Sequence, residues 1–416
     1  MTKFSINVNE LEKIRTKKLT YKGQTKDLDV YRIPIKMLFY NDMNGRIATF
    51  ISQYKADGND ITALDNEEYN NKIAEFIKAS STKERFKKTK EDIRANTQKE
   101  VGVVLTDGRI IDGNRRFTCL RELFLESAGD SRYAYFEAVV LPAPSSNDSD
   151  DWKAINSLEL ELQIGTDEKV DYSPIDWLVK VYQDIVKDRY YTEQEFSRLT
   201  KYKPSDVKKM ITKAELMEDF LEFFDRPEQF FIAKRLELDG PLTELVKVRR
   251  KCNDREWDEN KVVFYVYLWD AKKGDKTREV RRMISLVGTP KFAELINTAS
   301  ERADEILRGE PLSHYLDKTE NKMSPTSLNA VLNNERPILE DTSNTFQSVL
   351  DNALHDKSAA DARNKPITAC EAALKNLNEI DKDIVGRWTD LKTKDRYKDL
   401  LNDLANIIED LKQHVS

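Results

Sequence analysis

Histidine is almost missing from this sequence. His314, His355 and His414 are the only three in 416 residues, so the first three quarters hold no imidazole for a His-dependent nuclease or a His-ligated metal. Cysteine is as scarce. Cys119, Cys252 and Cys370 show no paired spacing, which argues for a reducing compartment and against a zinc ribbon. Long apolar runs are lacking too, so no segment reads as a bilayer span. The opening MTKFSINVNELEKIRTKK has no apolar core of the signal-peptide kind, and the expected location is cytoplasmic. Basic excess is also missing: 68 Lys and Arg stand against 74 Asp and Glu, a formal charge of -6. A protein with that balance does not hold DNA through a general positive field, and any DNA affinity must be local.

What is present concentrates in Val101 to Leu125, VGVVLTDGRIIDGNRRFTCLRELFL. Val101, Val103, Val104 and Leu105 read as a strand, Asp107-Gly108 as a two-residue hairpin turn, and Arg109 to Ile111 as the returning strand. Phe117, Leu120, Leu123 and Phe124 then follow helical spacing, which makes Asp112-Gly113-Asn114 a loop from a strand into a helix N-terminus. Such a junction aims backbone N–H groups and the positive end of a helix dipole at one spot. Arg115 and Arg116 add forked donors suited to phosphate oxygens, so the segment reads as an anion site. The plainer reading is a glycine turn with solvated or locally paired arginines.

DGRIIDGNRRFTCLREL resembles the second nucleotide-binding segment of the ParB/sulfiredoxin-like superfamily, in which a Gly-x-Arg-Arg turn opens a helix against a triphosphate. Gly113, Arg115 and Arg116 match, and Asn114 replaces the glutamate usual in chromosome-partition members. Sulfiredoxin carries a reactive cysteine in this turn, and here Cys119 lies on the following helix instead. Upstream, Tyr31-Arg32-Ile33-Pro34-Ile35 followed by Asn44-Gly45-Arg46 resembles the family's first segment, and Tyr69, Ile73, Phe76 and Ile77 give the helical stripe expected between the two. Downstream, Leu158 to Trp177 is similar to the third segment, with Asp171-Tyr172-Ser173-Pro174 as its turn. Glu159, Glu161 and Gln163 are the polar groups available there. One or two carboxylates with nucleotide phosphates would hold a hydrated magnesium, although the same residues suit an alternating strand or an exposed helix face.

Thr192-Glu193-Gln194-Glu195 has the capping-box signature, with Thr192 at the N-cap and Glu195 at N3. Phe196 and Leu199 face inward, Tyr202-Lys203-Pro204 turns the chain, and Ser205 is expected to cap a second helix carrying Val207, Met210 and Ile211. This is a helix-turn-helix pattern, similar to the one that follows the nucleotide domain in ParB. The second helix of such a motif lies in the major groove. Lys203, Ser205, Lys208, Lys209 and Lys213 are the expected DNA contacts. Lysines 201, 203, 208, 209 and 213 face one acid, Asp206, although an ordinary helical hairpin with a lysine-rich face has the same pattern.

The expected fold is α/β (α+β): a ParB/sulfiredoxin-like N-terminal domain followed by mainly α-helical domains. The expected divisions are 1–27 as an N-terminal extension, 28–147 as the nucleotide-binding domain, and 148–230 as a helical domain with the helix-turn-helix. A helical extension follows at 231–308, then a linker at 309–345 and a C-terminal helical pair at 346–416. Val262 to Trp269 reads as a buried helix or strand, with the context favouring the helix; Arg278, Arg281 and Arg282 form a second basic cluster, read as a solvated face. Leu377, Ile380, Ile384, Trp388 and Leu391 form one apolar stripe, and Leu400, Leu404, Ile407 and Leu411 another with heptad-like spacing.

The resemblance covers roughly residues 28–225. It implies a DNA-binding protein switched by CTP or ATP with magnesium, the nucleotide being held by Asn44, Gly45, Arg46, Asp112, Gly113, Asn114, Arg115 and Arg116. It also implies a homodimer with possible CTPase or ATPase activity, serving partition, plasmid or phage maintenance, or defence. Two other readings stand beside it. One is a ParB-like nuclease of a restriction or anti-phage system using Asp107, Asp112 and Glu122, and the other a helical adaptor that binds no nucleotide.

Overall fold

The computed structural model describes residues 5–64, 66–144, 149–164, 172–270, 274–308 and 340–415. A six-stranded mixed sheet comes first and helices dominate thereafter. Strands β1 (Glu12–Tyr21), β2 (Gln24–Pro34), β3 (Phe39–Tyr40), β4 (Gly102–Leu105), β5 (Arg109–Asp112) and β6 (Tyr135–Leu141) lie in the order β1-β2-β6-β4-β5-β3. β4 runs parallel to β6 and β3 parallel to β5; the other neighbours are antiparallel.

Strand alternation builds two cores, one on each face of the sheet. Ile33, Val104, Ile110, Phe136 and Ala138 point to one side. There they meet Ile51 of α1 (Ala48–Ala56), Ile73 and Ile77 of α2 (Asn66–Ala79), Ile93 of α3 (Lys83–Asn96), and Phe117, Leu120 and Leu123 of α4 (Asn114–Glu126). Val30, Val103, Leu105, Ile111, Val139 and Leu141 point to the other side, onto Ile155 and Leu158 of α5 (Ser149–Ile164).

Two expectations are corrected here. Residues 12–27, read as an extension, form β1 and the start of β2, joined by a hairpin at Lys22 (φ 50°) and Gly23 (φ 69°). Both turn residues sit at positive φ, as a type I′ turn needs. The division at 147/148 likewise separates the sheet from α5, the helix that covers its second face.

Beyond α5 come α6 (Pro174–Val181), which runs into a π-helical turn at Tyr182–Lys187, then α7 (Glu193–Thr200), α8 (Pro204–Phe223) and α9 (Phe230–Arg235). Next are α10 (Asp239–Arg249), α11 (Asp254–Asp270), α12 (Lys276–Ile284) and α13 (Pro290–Arg308). Val262 to Trp269 belongs to α11 and is largely buried, as the helical reading expected. On α12, Arg281 bonds Glu244 and Arg282 bonds Glu279, which makes that cluster a paired helix face.

The chain divides into two compact units, Met1–Asp351 and Asn352–Ser416. Helix α14 (Glu340–Asn378) begins in the first, with Phe346 and Leu350 buried, and continues into the second, where α15 (Lys382–Gly386) and α16 (Leu391–Gln413) follow. The expected stripe from Leu377 to Leu391 is therefore broken across three helices, because Asp381 and Asp390 each cap a new one. The linker expected at 309–345 lies mostly outside the described residues. Among the described residues no helix is long and apolar enough to cross a membrane.

Candidate anion-binding site

The β5–α4 junction is tighter than a three-residue loop. Asp112 ends the strand, Gly113 is the left-handed N-cap (φ 99°, ψ 15°), and Asn114 is the first helical residue. Glycine is required twice over: the conformation disfavours a side chain, and a Cβ would lie 2.7 Å from Phe136 Cζ. Asn114, Arg115 and Arg116 thus occupy the first turn of α4, whose N–H groups have no acceptor within the helix.

The two arginines part from there. Arg116 folds back over Gly113 and bonds Asp112 at 2.8 Å. Arg115 instead lines a small cleft, with about 40 Å³ of space inside it, together with Asn114, Arg46, Arg85 and the segment Ser80 to Thr82. The expectation of a joint grip by Arg115 and Arg116 is corrected accordingly, since an i,i+4 ion pair with Asp112 claims the second guanidinium. Arg85 takes its place at the cleft. It stands in the first turn of α3, where the Thr82 hydroxyl accepts its backbone N–H at 3.3 Å. Two helix N-termini and three guanidinium groups therefore border one cleft, which favours anions by dipole and charge together. Asn114 is 7% exposed, and among the described residues its side-chain oxygen has no hydrogen-bond partner, nor has the buried Nε of Arg46. Buried polar groups in that state are left for water, an ion or a ligand to satisfy.

Arg46 comes from the other expected segment. Asn44 caps a 3-10 turn at Gly45–Ile47, its side-chain oxygen accepting the Arg46 N–H at 3.1 Å. This turn is pressed against the helical region. A Cβ on Gly45 would meet Lys180 Cδ at 2.9 Å and Tyr172 Cε1 at 3.2 Å, and the Arg46 guanidinium lies 5.6 Å from the Tyr172 ring centre. Asn44, Gly45, Arg46, Asn114 and Arg115 are thus brought to one side of the sheet domain. Asp112 serves Arg116, and Gly113 shapes the bend.

Behind the turn lies a buried polar cluster. Lys180 bonds Asp184 at 2.9 Å and Asn156 at 2.9 Å, and Asn156 donates to Asp184 at 2.8 Å. Burial alone would depress the Lys180 ammonium. Asp184, then Glu159 and Tyr172, outweigh it and hold the group above the ordinary lysine range. Asp176 of α6 makes a second tie, accepting Thr49 of α1 at 2.7 Å and Lys234 of α9 at 2.8 Å.

The expected magnesium donors do not converge. Helix α5 carries Glu159 and Glu161 two positions apart, hence on different faces: Glu159 is buried toward Lys180 and Tyr172, and Glu161 is exposed. The side chain of Gln163 and all of Asp171 lie outside the described residues. The three acids of the nuclease reading are dispersed as well. Asp107 accepts the Arg109 N–H, Asp112 holds Arg116, and Glu122 bonds Lys78 and Lys90. Among the described residues no group of three His, Cys, Asp or Glu is placed to hold a metal ion. Cys119 is buried, which pushes its thiol up to about 12, far from the thiolate that redox chemistry needs.

At the expected helix-turn-helix, the Thr192–Glu195 capping box closes on α7, and Lys201 ends it in a left-handed conformation. Helix α8 starts one residue before Ser205: Lys203 is the N-cap and Pro204 takes N1, the one early position where a missing N–H costs nothing. Lys203, Ser205, Lys208 and Lys209 are exposed on its first turns. Lys209 pairs with Asp206 at 2.9 Å, and Lys213 is drawn to Asp239 at 2.5 Å. The rest of α8 is packed inward through Leu216, Met217, Phe220 and Leu221.

Arg85 is the cleft residue that no sequence motif marks. Its one sequence signal is the capping threonine three residues earlier, which marks a helix start but not what the start faces. Compared with known proteins, the chain matches no protein-family model, and no curated protein and no solved structure is significantly similar to it.

Proposed function

We propose that this chain is a ParB-like, nucleotide-operated DNA-binding protein. The observation that carries the reading is the cleft where Arg46, Arg85 and Arg115 meet the N-termini of α3 and α4 around the buried Asn114. Such a cleft suits a phosphate chain, with each guanidinium offering charge-assisted hydrogen bonds. CTP and ATP are the candidate ligands. Glu159 and Glu161 of α5 do not converge on one magnesium, so phosphate charge is balanced in this reading by the three arginines and the helix dipoles.

Coupling to DNA rests on the contact between Gly45 and Lys180. A ligand that engages Arg46 bears on the turn packed against α6, and α6 packs against α8. Differential contact with that turn is what biases the domain between two arrangements, and with it the presentation of Lys203 and Lys208 to DNA. With so few exposed lysines, DNA binding is weak and strongly dependent on salt.

Titration of CTP, ATP and GTP by calorimetry, with and without duplex DNA, tests the reading. Saturable uptake that changes DNA affinity supports it. Metal-dependent cleavage of DNA would favour the nuclease, and neither nucleotide uptake nor DNA binding would leave the adaptor.

A further inference from the structure

A second and larger cavity adjoins the Asn44–Arg46 turn, with about 470 Å³ of space inside it, a size found among small-molecule sites. The turn serves both spaces: Arg46 lines the small cleft, and Asn44 lines this one. The rest of the wall comes mainly from α1, from the loop that leads α8 into α9, and from the π-helical turn at Tyr182–Lys187. Such turns are rare and occur frequently at functional sites.

The lining offers three kinds of group. Asp42 and Asp188 bring carboxylates that pair with no cation among the described residues, whereas Asp184 is held by Lys180 and Glu228 by Lys187. Asn44 is 2% exposed and its Oδ1 is spent on the Arg46 N–H, which leaves its amide Nδ2 with no acceptor among the described residues. Lys55 is a second donor, exposed and in no ion pair among the described residues. Met43, Ile51 and Phe230 supply apolar surface.

Each kind narrows the ligand. Unpaired carboxylates favour a cationic end, a buried amide donor favours a carboxylate or carbonyl oxygen, and the apolar surface favours methylene groups between them. Asp42, Asp184, Asp188 and Glu228 stand against Lys55 and Lys180, so the lining also favours net positive charge. A polyamine lacks the acceptor, and a neutral amino acid lacks the charge.

We propose that this cavity is a binding site for a free basic amino acid of the arginine or lysine kind. The inference stands apart from the nucleotide reading, since Arg46, Arg85 and Arg115 do not line this cavity.

Calorimetric titration of L-arginine and L-lysine into the full chain tests it. One saturable site per chain is expected for at least one of them, with norleucine, which lacks the cationic end, and agmatine, which lacks the carboxylate, both bound more weakly. Asp42→Asn and Asp188→Asn conserve shape at carboxylates that hold no ion pair, and each should weaken uptake severalfold. Thermal unfolding of both variants confirms that they fold. Asp27→Asn removes the same charge from the exposed β1–β2 hairpin and should leave uptake unchanged, as should Arg115→Ala, the variant that tests the nucleotide cleft. No saturable uptake of either amino acid overturns the proposal. So does uptake indifferent to both cavity variants, or weakened as much by Asp27→Asn, which would mark general attraction to an acidic chain. N-acetyl-arginine amide binding as tightly as free arginine would overturn the free ligand in favour of a basic side chain of another protein.

Discussion

Gly45 and Lys180 approach so closely that a Cβ on the glycine would stand 2.9 Å from the lysine Cδ. The lysine cannot easily yield, because its ammonium is held by Asp184 and Asn156. Gly45→Ala is therefore expected to cost about 1–3 kcal/mol of stability, the usual penalty of overpacking. The variant should also lose much of any effect of nucleotide on DNA affinity. Urea denaturation and DNA titrations with and without CTP or ATP check the two halves separately.

Breaking the pair behind that turn should cost more. Lys180→Met keeps most of the side-chain volume and leaves Asp184 as an uncompensated buried charge, a change expected to destabilise by about 3–5 kcal/mol. Chemical denaturation measures it. A loss below about 1 kcal/mol, the level of an exposed ion pair, would contradict the buried pairing.

The divergence of the two adjacent arginines gives a sharper expectation. Arg46→Ala, Arg85→Ala and Arg115→Ala should each weaken binding of a nucleoside triphosphate by about tenfold or more, from about 1.5–3 kcal/mol per charged hydrogen bond. Arg116→Ala should change it little, because that guanidinium is spent on Asp112. The described cleft residues include no aromatic ring to stack on a base. Tripolyphosphate should accordingly compete with CTP and ATP on near-equal terms.

Much of this arrangement was legible in the sequence, and the exceptions have physical causes. The Asp107-Gly108 turn, the Gly113 bend and the stripe on α2 were readable because each is a local pattern whose period or turn chemistry admits few alternatives. The β1–β2 hairpin was not. β1, at the sheet edge, and the first half of β2, which pairs with β1 alone, are dominated by charged and polar residues, so they lack the apolar alternation that marks a half-buried strand. The partner of Arg116 was invisible because adjacency in sequence says nothing about which way two side chains turn from a helix start. Arg85 was hidden for the opposite reason, being 30 positions from Arg115 and joined to it only by the packing of α3 on α4. Glu159 and Glu161 remained ambiguous until α5 proved to be a helix, which sends residues two apart to different faces.

A pH effect should arise on α8. Glu218 of α8 is 4% exposed, and burial, reinforced by the nearby Glu222 and Glu228 carboxylates, pushes its carboxyl up to about 7 although the Glu228 N–H opposes the shift. The folded chain therefore keeps this proton where the unfolded chain, at the ordinary value of 4.5, has lost it. Protonation of the folded form then contributes stability that falls as pH rises from about 4.5 to about 7, by about 3 kcal/mol in total. Glu218→Gln should flatten that part of the profile in denaturation at pH 5, 6, 7 and 8. A wild-type profile that rises over the same window would contradict the assignment.

On DNA, exposed and paired lysines should separate. Lys203→Ala and Lys208→Ala are each expected to weaken binding across sequences and to lower the salt slope by about one. Lys213→Ala should do less, since its ammonium is already engaged by Asp239. Fluorescence anisotropy over a range of salt concentrations measures both quantities.

The most direct measurement is calorimetric titration of CTP and ATP into the full chain and into Arg115→Ala. Saturable uptake by the wild-type chain, lost or weakened at least tenfold in the variant, is the expected result. Equal uptake by both, or none by the wild-type chain, would contradict a phosphate chain seated between α3 and α4.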